Sequence, residues 1–564
     1  MPAAPARNVP PWRRHPGLPV FLGYVLVAFL FLGLPLFVER GDRYVGYGYD
    51  PQIFIWAFAW WPHAIAHGLN PFVTHAVWAP DGVNLAWTTT VPGLALLFSP
   101  LTAAAGPFVS YDAAAVLMPA LAAWTAFALC RHLTRALWPS IVGGYLFGFS
   151  SYVLAQGGGG HLQLSSVFLL PLVALLVLRF LDGDLDGRGL VLRLGPALGL
   201  QLLMGTEIAF TMTLGLAIAL VLGAALVPAR RRRIVALLTP LAGAYAFGAL
   251  LTSPFLYFLL SDFRRSLVGN PDGYLADLVN FVVPTKIVYA ARAWASPISA
   301  HFPGNVTEED AYLGAPTLLA MALYARGRLR TPGVRFLLAS LAAAVVVSLG
   351  VEATVEGNGL FPMPWRLVHR LPLFENVLTS RLTVYVALVA AAMAALWVAS
   401  RPAGRLRWLL PVAAVLATFP YPARGGFATG YSVPAFFTDS AYRSCIPAKA
   451  IVLPLPIREF GDELLWQADA GFRFDMAGGE IGPVIPPSFV TPGAMEDVTE
   501  GKPVRASQAG IFRTFIAAKR VTTVVVDANQ ARLWSAALDR IAKPRRAGGV
   551  ILYTVRGPTP PCPS

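Results

Sequence analysis

Long apolar runs dominate the chain from residue 18 to residue 420. A helix needs roughly 20 apolar residues to cross the hydrocarbon core of a bilayer, and most of these runs approach that length. Only 13% of the 564 residues are charged, whereas soluble domains average about 25%. The sequence therefore predicts an α-helical polytopic membrane protein with 11–13 transmembrane helices. The candidate runs are 18–38, 90–105, 111–131, 138–154, 163–181, 190–205, 206–227, 234–260, 313–325, 334–350, 381–400 and 407–420.

Arginines cluster in short loops between these runs, most clearly at Arg230-Arg231-Arg232-Arg233. Cytoplasmic loops of membrane proteins carry an excess of Lys and Arg, so the net charge of +14 indicates orientation in a membrane and predicts no nucleic-acid binding. The basic flank Trp12-Arg13-Arg14-His15 predicts a cytoplasmic N-terminus. Alternation then places the long loops 39–89, 261–312 and 351–380, and everything after residue 420, outside the plasma (inner) membrane.

One apolar run conflicts with this alternation, because twelve spans would return the C-terminus to the cytoplasm. The weakest run, 90–105, is short and contains Pro92 and Pro100, which interrupt helices. Either this run is re-entrant or a neighbouring run is split. A functional site is expected on the outer face, since sites are commonly built on long loops that a rigid scaffold positions.

The chain changes character after residue 420. Segments rich in β-branched residues predict short buried strands at 450–454, 521–526 and 550–555. The surroundings of Trp466 and the segment 507–519 predict helices. We therefore divide the chain into a transmembrane domain, residues 1–420, and a small extracytoplasmic α/β domain, residues 421–564. No nucleotide-binding loop motif occurs in the second domain.

Two cysteines, Cys445 and Cys562, bracket the predicted α/β domain. They could form a disulfide if this domain lies outside the membrane, where thiols are oxidised. The sequence does not fix the distance between them, so the free thiols remain an alternative.

Asp50 stands in the first external loop, in Tyr47-Gly48-Tyr49-Asp50-Pro51-Gln52. A carboxylate at the membrane surface could take the proton of an acceptor hydroxyl as a general base. The alternative is a solvated loop carboxylate or a turn residue before Pro51. The segment 51–68 that follows predicts an interfacial helix whose Trp56, Trp60 and Trp61 favour the lipid headgroup region.

Other ionisable residues fall at the predicted outer ends of apolar helices. Glu207 begins one of them, and an ionisable group there needs a polar cavity or a partner. Arg381 begins another, where a cation opposes the helix dipole and so requires an anionic partner such as phosphate. His161 follows four glycines, which either allow close approach to a ligand or form a flexible loop. Asp310 closes an acidic triplet with Glu308 and Glu309, and the alternative for these acids, foremost Glu308, is an ordinary helix N-terminal charge.

These features resemble the GT-C fold of polytopic glycosyltransferases, and more narrowly the bacterial membrane glycosyltransferases of the YfhO type. The resemblance rests on Asp50 with Gln52 in the first external loop, followed by an aromatic helix, and on several short motifs further along. These motifs are Asn70-Pro71-Phe72, Trp78-Ala79-Pro80-Asp81-Gly82, Gly160-His161, Tyr312-Leu313-Gly314 and Arg381.

The resemblance implies transfer of a hexosyl or pentosyl group from a polyprenyl-phosphate sugar donor to a cell-envelope glycan, lipid or protein acceptor on the outer face of the bilayer. The role of catalytic base falls on Asp50. The leaving phosphate would be stabilised by Arg381, with His161. The residues implied in substrate binding are Gln52, His161, Glu207, Asp310 and Arg381.

A divalent metal serves some enzymes of this class, but no cofactor and no metal ligand follow with certainty from these residues. Asp50 lacks a D-x-D or paired D-E motif, which puts a metal-dependent mechanism in doubt. The Trp-Trp-Asp-Tyr-Gly motif of oligosaccharyltransferases is also absent, and Trp60-Trp61-Pro62-His63 does not replace it.

Two other functions compete with the transferase. A transporter or flippase for a lipid-linked glycan would need polar residues along a path through mid-membrane, whereas here the ionisable residues gather at helix ends. A catalytically inert scaffold would leave Asp50, Glu207 and Arg381 dispersed. The sequence therefore favours the enzyme.

Overall fold

A computed structural model of the chain describes residues 17–38, 41–261, 271–402, 404–421, 427–458, 461–490, 498, 502–558 and 560–562. The basic flank at residues 12–15 lies outside these residues. The chain forms two compact units. The first comprises Met1–Glu39, Ala115–Leu251 and Leu267–Ala428, and the second comprises Arg40–Ala114, Thr252–Ser266 and Thr429–Ser564. The predicted domain boundary at residue 420 stays a prediction.

The first unit consists mainly of apolar helices. Helix Ser99–Thr134 contributes its residues from Ala115 onward. A hairpin of strands Glu352–Val355 and Asn358–Pro362 is also part of this unit. The other helices are Gly17–Ala28, Pro35–Val38, Leu137–Gly148, Ser151–Gly158, Leu162–Ser165, Leu169–Asp182, Gly187–Met204, Thr206–Leu226, Arg231–Leu251, Arg292–Ser299, Ala315–Ala325, Pro332–Ser348, Thr383–Ala399 and Leu409–Ala417.

Among the described residues, five helical segments are long and apolar enough to cross a membrane by length and composition. They are Ser99–Thr134, Leu162–Asp182, Thr206–Leu226, Pro228–Leu251 and Thr379–Ala399. Shorter apolar helical segments are Gly17–Gly33, Ala315–Ala325 and Pro332–Ser348. The polytopic helical class is therefore confirmed, and the total of 11–13 spanning helices stays a prediction.

Several predicted runs are interrupted. The run 90–105 is not one helix, because Pro92–Leu97 ends before Ser99–Thr134 begins. The second of these helices is itself broken at Gly106, whose φ of 86° lies in the left-handed region that glycine alone adopts readily. The run 138–154 is likewise divided into Leu137–Gly148 and Ser151–Gly158.

Glycines bring two helices of the first unit into close contact. A Cβ atom on Gly148 would lie 2.4 Å from the backbone nitrogen of Ala123 on helix Ser99–Thr134. A Cβ on Gly144, one turn earlier, would lie 2.6 Å from the Ala123 carbonyl oxygen. Small residues at this spacing let helix backbones approach closely, which is how membrane helices gain packing energy.

The second unit contains a five-stranded sheet. In spatial order its strands are Pro544–Ala547, Val550–Thr554, Thr523–Asp527, Ile451–Leu455 and Asp475–Met476. The first three strands pair antiparallel and the last three pair parallel. The two central strands are buried along almost their whole length because helix Ala509–Ala518 and neighbouring segments cover them.

Other elements of the second unit are short. Strands Val73–Thr74 and Val83–Asn84 pair antiparallel, and further strands are Arg43–Val45 and Ala428–Gly430. The helices are Asp50–Ala66, Pro92–Leu97, Ser253–Ser261, Ala435–Thr438, Tyr442–Cys445, Glu463–Asp469, Ala509–Ala518 and Ser535–Leu538.

The secondary-structure predictions for the C-terminal region are confirmed. All three predicted strands occur, within one or two residues of their expected ends, and both predicted helices are present. Cys445 and Cys562 form a disulfide, which decides between the two alternatives left open by the sequence. It links helix Tyr442–Cys445 to the C-terminal segment.

The predicted interfacial helix forms as Asp50–Ala66, but its tryptophans do not face lipid headgroups. Trp56, Trp60 and Trp61 are at most 4% exposed. The indole rings of Trp56 and Trp60 pack edge-on against Phe472 in the same unit, with ring centroids 5.5 and 5.2 Å away. The interfacial prediction is therefore wrong, because protein and not lipid covers these rings.

We expect Gly148→Ala to lower the melting temperature of the detergent-solubilised protein. The added methyl group would overlap a backbone atom that cannot move alone, and overpacking of this kind costs about 1–3 kcal/mol. The matched control is Gly23→Ala in helix Gly17–Ala28, where the new Cβ would meet nothing within 4 Å. Equal melting temperatures for the two variants would contradict the close helix contact.

Candidate functional site

Arg381 is the centre of a charged cluster in the first unit. Its Nη2 donates to Oε1 of Glu308 at 2.7 Å, and its Nε contacts both oxygens of that carboxylate at 3.1 and 3.2 Å. Its Nη1 donates to Oε2 of Glu207 at 2.5 Å. One guanidinium therefore holds two carboxylates, and it still has one N–H on each terminal nitrogen that makes no hydrogen bond to the described residues.

The cluster forms where three segments of the first unit begin or end. Glu207 lies in the first turn of helix Thr206–Leu226. Arg381 lies in the 3₁₀ turn Thr379–Leu382, which leads into helix Thr383–Ala399. Glu308 lies in the loop before helix Ala315–Ala325. The anionic partner predicted for Arg381 is therefore a pair of carboxylates from the protein.

The three charged side chains differ in exposure. Glu308 is 2% exposed, whereas Arg381 and Glu207 are 17% and 23% exposed. Because Glu308 is buried and paired with Arg381, it is not the ordinary solvated charge at a helix N-terminus that the sequence left open as an alternative. Glu207 is the most exposed of the three side chains, although its Oε1 atom is buried.

A second set of polar groups surrounds Asp310 in the same unit. Gln156 donates from Nε2 to the Thr307 carbonyl oxygen at 2.9 Å and to Asp310 Oδ2 at 3.2 Å. Its Oε1 lies 2.7 Å from Nδ1 of His161. Thr383 donates its hydroxyl to Asp310 Oδ1 at 2.6 Å. Gln156 thus joins His161 to the acidic loop.

Opposite pKa shifts separate the two buried acids of this loop. Burial alone would raise the pKa of Glu308, but the charge and hydrogen bonds of Arg381 outweigh it and hold the pKa below its ordinary value. Burial, together with the charge of Glu308, raises the pKa of Asp310 well above its ordinary value. The charge of Arg381 thus favours the anionic form of Glu308, whereas burial disfavours the anionic form of Asp310.

The four glycines before His161 serve close packing. A Cβ on Gly158 would lie 2.2 Å from the ring of Phe427, and one on Gly159 would lie 2.4 Å from the Thr307 side chain. This close approach brings Thr307 within reach of Gln156. The sequence left open whether the glycines form a flexible loop. Gly157 and Gly158 instead form the end of helix Ser151–Gly158.

Asp50 lies in the second unit, in the first turn of helix Asp50–Ala66, and is partly exposed. The loop before it is held from two sides. Val45 donates its N–H to Asp112 at 2.9 Å and accepts from the Tyr111 hydroxyl at 2.8 Å. Thr429 donates its hydroxyl to the Gly46 carbonyl oxygen at 2.7 Å. These hydrogen bonds fix the backbone of the loop that leads into Asp50.

Gln52 does not stand free beside Asp50, because its Nε2 donates to Oδ1 of Asp462 at 2.8 Å. Next in sequence, Glu463 is fully buried and accepts from the Tyr49 hydroxyl at 2.8 Å. Burial raises the pKa of Glu463 to about 7 and that of Asp462 above its ordinary value. The loop of Asp50 thus contacts two further acids.

No group of three or more His, Cys, Asp or Glu side chains in the described ranges could hold a metal ion. The mechanism proposed below includes no step through a metal.

The sequence predicted four members of the cluster in the first unit: His161, Glu207, Asp310 and Arg381. It missed Glu308 and Gln156 there, and Asp462 and Glu463 in the second unit. Glu308 offered a signal, since an arginine at a helix start needs an acidic partner and Glu308 belongs to a run of three acids. Gln156, Asp462 and Glu463 offered none, because polar residues in amphipathic surroundings are common on protein surfaces.

Residues 20–419 match the model of a family described as a domain of unknown function, DUF6311. The chain belongs to this family. The match covers most of the apolar helices and both Asp50 and Arg381. The finer likeness to the YfhO type stays a prediction, because the family model assigns no function. A comparison with curated proteins finds no match to the chain.

Solved structures of membrane glycosyltransferases share the fold. The archaeal oligosaccharyltransferase AglB from Archaeoglobus fulgidus, in complex with an inhibitory peptide and a dolichol-phosphate, has a TM-score of 0.53 at 14% identity, over 97% of this chain and 75% of AglB. An Archaeoglobus fulgidus oligosaccharyltransferase in complex with Zn and sulfate has a TM-score of 0.54 at 14% identity, over 95% of this chain and 73% of that one.

The mycobacterial arabinofuranosyltransferase AftD has a TM-score of 0.50 at 16% identity, over 97% of this chain and 40% of AftD. This chain thus spans less than half the length of AftD. At such low identities the likeness shows the fold alone. The DUF6311 chain is therefore a multi-pass membrane protein with the GT-C fold.

We expect Arg381→Ala to destabilise the protein by about 3–5 kcal/mol, because it leaves Glu308 buried without its counterion. Arg330→Ala, which removes an exposed arginine of the same unit, is the matched control and should leave the melting temperature unchanged. The double variant Arg381→Ala/Glu308→Gln should recover part of the loss, since it removes the buried charge as well. A single variant as stable as the control would show that the cluster is not stabilised in this way.

Proposed function

We propose that this protein is a glycosyltransferase that moves a sugar from a polyprenyl-phosphate carrier to an acceptor glycan, lipid or protein on the outer face of the membrane. Support comes from the fold it shares with AglB and AftD. AglB is described with a dolichol-phosphate, which is a polyprenyl-type carrier. Further support is the orientation that the arginine-rich loops predict, with residues after 420 outside.

The observation that carries the proposal is the partly exposed carboxylate of Asp50 on a loop fixed by hydrogen bonds. Asp50 takes the proton of an acceptor hydroxyl while the acceptor oxygen attacks the anomeric carbon of the donor. The bond from that carbon to the phosphate oxygen breaks, and the electron pair leaves with the polyprenyl phosphate. Attack opposite the leaving group inverts the configuration at the anomeric carbon.

Arg381 is proposed to contact the leaving phosphate through its remaining N–H groups, one on each terminal nitrogen. Glu207 and Glu308 already balance its charge, so an anionic ligand must compete with a carboxylate. Glu207 is the better exposed of the two and makes one contact to Arg381, against three for Glu308. We therefore assign Glu207 to the sugar hydroxyls, while Glu308 keeps Arg381 in place.

An apolar cavity in the first unit suits the carrier tail. Its volume is about 500 Å³, and almost all of its lining comes from aliphatic side chains. Leu382, next to Arg381, and Thr211, one turn after Glu207, line one part of it. Arg230 and Thr331 line another part, beyond the far end of helix Thr206–Leu226. An isoprenoid chain fits such a cavity because burying its apolar surface is favourable.

Asp50→Asn is expected to reduce transfer by about 10²–10⁴-fold, which is the usual contribution of a general base. The measurement is formation of product from a radiolabelled polyprenyl-phosphate sugar in proteoliposomes, with Asp42→Asn, an exposed acid of the same loop, as control. If Asp50→Asn transferred sugar at the wild-type rate, the assignment of Asp50 as the catalytic base would be wrong. Movement of the donor across the bilayer without product would instead favour the flippase alternative.

Ala219→Phe should weaken use of donors with long polyprenyl chains and spare donors with short chains. Ala219 lines the apolar cavity, and a phenyl ring there would occupy space that the tail needs. The matched control is Ala217→Phe on the same helix, because Ala217 is exposed and does not line the cavity. The comparison is KM for two donors that differ only in chain length. Equal effects on both donors would exclude the cavity as the site of the tail.

A further inference from the structure

Three residues at the start of helix Asp50–Ala66 share one face. Tyr49, Gln52 and Trp56 are spaced by three and four positions, which places neighbouring side chains along one side of a helix. Each of them donates a hydrogen bond to the same short segment of the second unit, residues 461–467. Asp50 lies between the first two donors in the sequence.

The acceptors of these three hydrogen bonds are side chains in or just before helix Glu463–Asp469. Tyr49 donates its hydroxyl to Glu463 Oε1 at 2.8 Å. Gln52 donates from Nε2 to Asp462 Oδ1 at 2.8 Å, and also to the carbonyl oxygen of Gly461 at 3.1 Å.

One turn further, Trp56 donates its indole N–H to Gln467 Oε1 at 2.7 Å. Gln467 also donates from Nε2 to the carbonyl oxygens of Ala76 and Phe474 at 2.6 and 2.9 Å. Trp56 and Gln467 are both fully buried. This third pair therefore anchors the two helices, while the first two pairs contact the turn that carries Asp50.

The two acids are themselves fixed from the C-terminal segment. Asp462 accepts from the backbone N–H of Ser432 through its second oxygen at 3.1 Å. Glu463 Oε1 also accepts from the backbone N–H of Arg458 at 2.9 Å. Each acid therefore joins the helix of Asp50 to backbone that comes from residues 429–564. The loop before Asp50 is held separately, by Tyr111, Asp112 and Thr429.

We infer that Asp462 and Glu463 are positioning residues, which fix the turn that carries Asp50 by holding Gln52 and Tyr49. They act through these two neighbours and touch no reacting atom. This inference rests on the proposed function for the role of Asp50, but the fixing of the turn is independent of that role. It gives the C-terminal α/β segment a part in transfer.

Positioning matters because proton transfer needs a heavy-atom separation of about 2.6–3.2 Å. A base held loosely spends little time within that distance, and a misplacement of about 1 Å can cost a hundredfold in rate. A purely stabilising contact behaves differently. Its loss lowers the melting temperature but leaves the turnover of the molecules that remain folded unchanged.

The experiment compares Asp462→Ala, Glu463→Ala and Gln52→Ala with Asp469→Ala in the full-length protein. Asp469 is an exposed acid at the end of the same helix, so its removal controls for a change of charge. Amide hydrogen exchange of the segment 46–54 reports the turn directly. We expect exchange to be about tenfold faster in the first three variants, because each loses a hydrogen bond between a carboxylate and its partner. Exchange in the control should be unchanged.

Kinetics separate positioning from stabilisation. We expect kcat to fall about tenfold to a hundredfold in Asp462→Ala and Glu463→Ala at a temperature where both remain folded, with KM for the donor little changed. Glu463→Gln keeps an acceptor oxygen for Tyr49 and should restore both slow exchange and kcat. The double variant Gln52→Ala/Asp462→Ala should lose less than the sum of the two single variants, because both single variants already remove the Gln52–Asp462 contact.

Unchanged exchange in Asp462→Ala and Glu463→Ala would overturn the inference, and so would faster exchange with a wild-type kcat. The conservative variants Asp462→Asn and Glu463→Gln replace the alanine variants if those do not fold. If Asp50→Asn retains transfer, the proposed function fails instead. Hydrogen exchange still decides in that case whether the two acids hold the turn.

Discussion

The pairing of Arg381 with two carboxylates constrains the first unit more than any other interaction. A guanidinium and a carboxylate lose several kcal/mol of hydration when they leave water, and they regain it only with well-placed partners. Glu308 is almost fully buried and can remain charged there only because Arg381 contacts it through two nitrogens. The starts of two membrane helices and the loop before a third must therefore meet at fixed positions.

In the second unit, hydrogen bonds between neutral and acidic groups hold the turn at Asp50 in place. The turn at Asp50 is short, carries glycines before it and would be mobile alone. Hydrogen bonds with Tyr111, Asp112, Thr429 and the segment 461–467 fix it, and these partners are buried or half-buried. Because buried polar groups are costly to leave unpaired, each bond restricts the turn as well as stabilising it. A partly exposed carboxylate is thereby held on a rigid support.

The sequence could predict elements whose signal is local. Apolar length gave the membrane helices, β-branched segments gave the three strands, and charges at helix starts gave Glu207, Asp310 and Arg381 as residues in need of partners. The sequence could not predict partners that are distant along the chain. Glu308 lies 73 residues from Arg381, and Asp462 lies 410 residues from Gln52. The burial of Trp56, Trp60 and Trp61 was missed for the same reason. An amphipathic ring suits lipid headgroups and a protein core equally well, and only the distant Phe472 and Gln467 decide between them.

The division of candidate residues between two compact units bears on how a shared fold can serve different enzymes. The GT-C fold provides membrane helices, and these need only hydrophobic side chains of suitable size, so the fold persists at 14% identity. Chemistry needs particular groups at fixed distances. In this chain the candidate base belongs to a unit built from residues 40–114, 252–266 and 429–564, three segments far apart in sequence. Because its supporting acids come from the most distant segment, a change near residue 462 acts on the turn at residue 50 without altering any membrane helix. Substrate preference and rate can therefore change in the C-terminal segment while the helical scaffold stays the same.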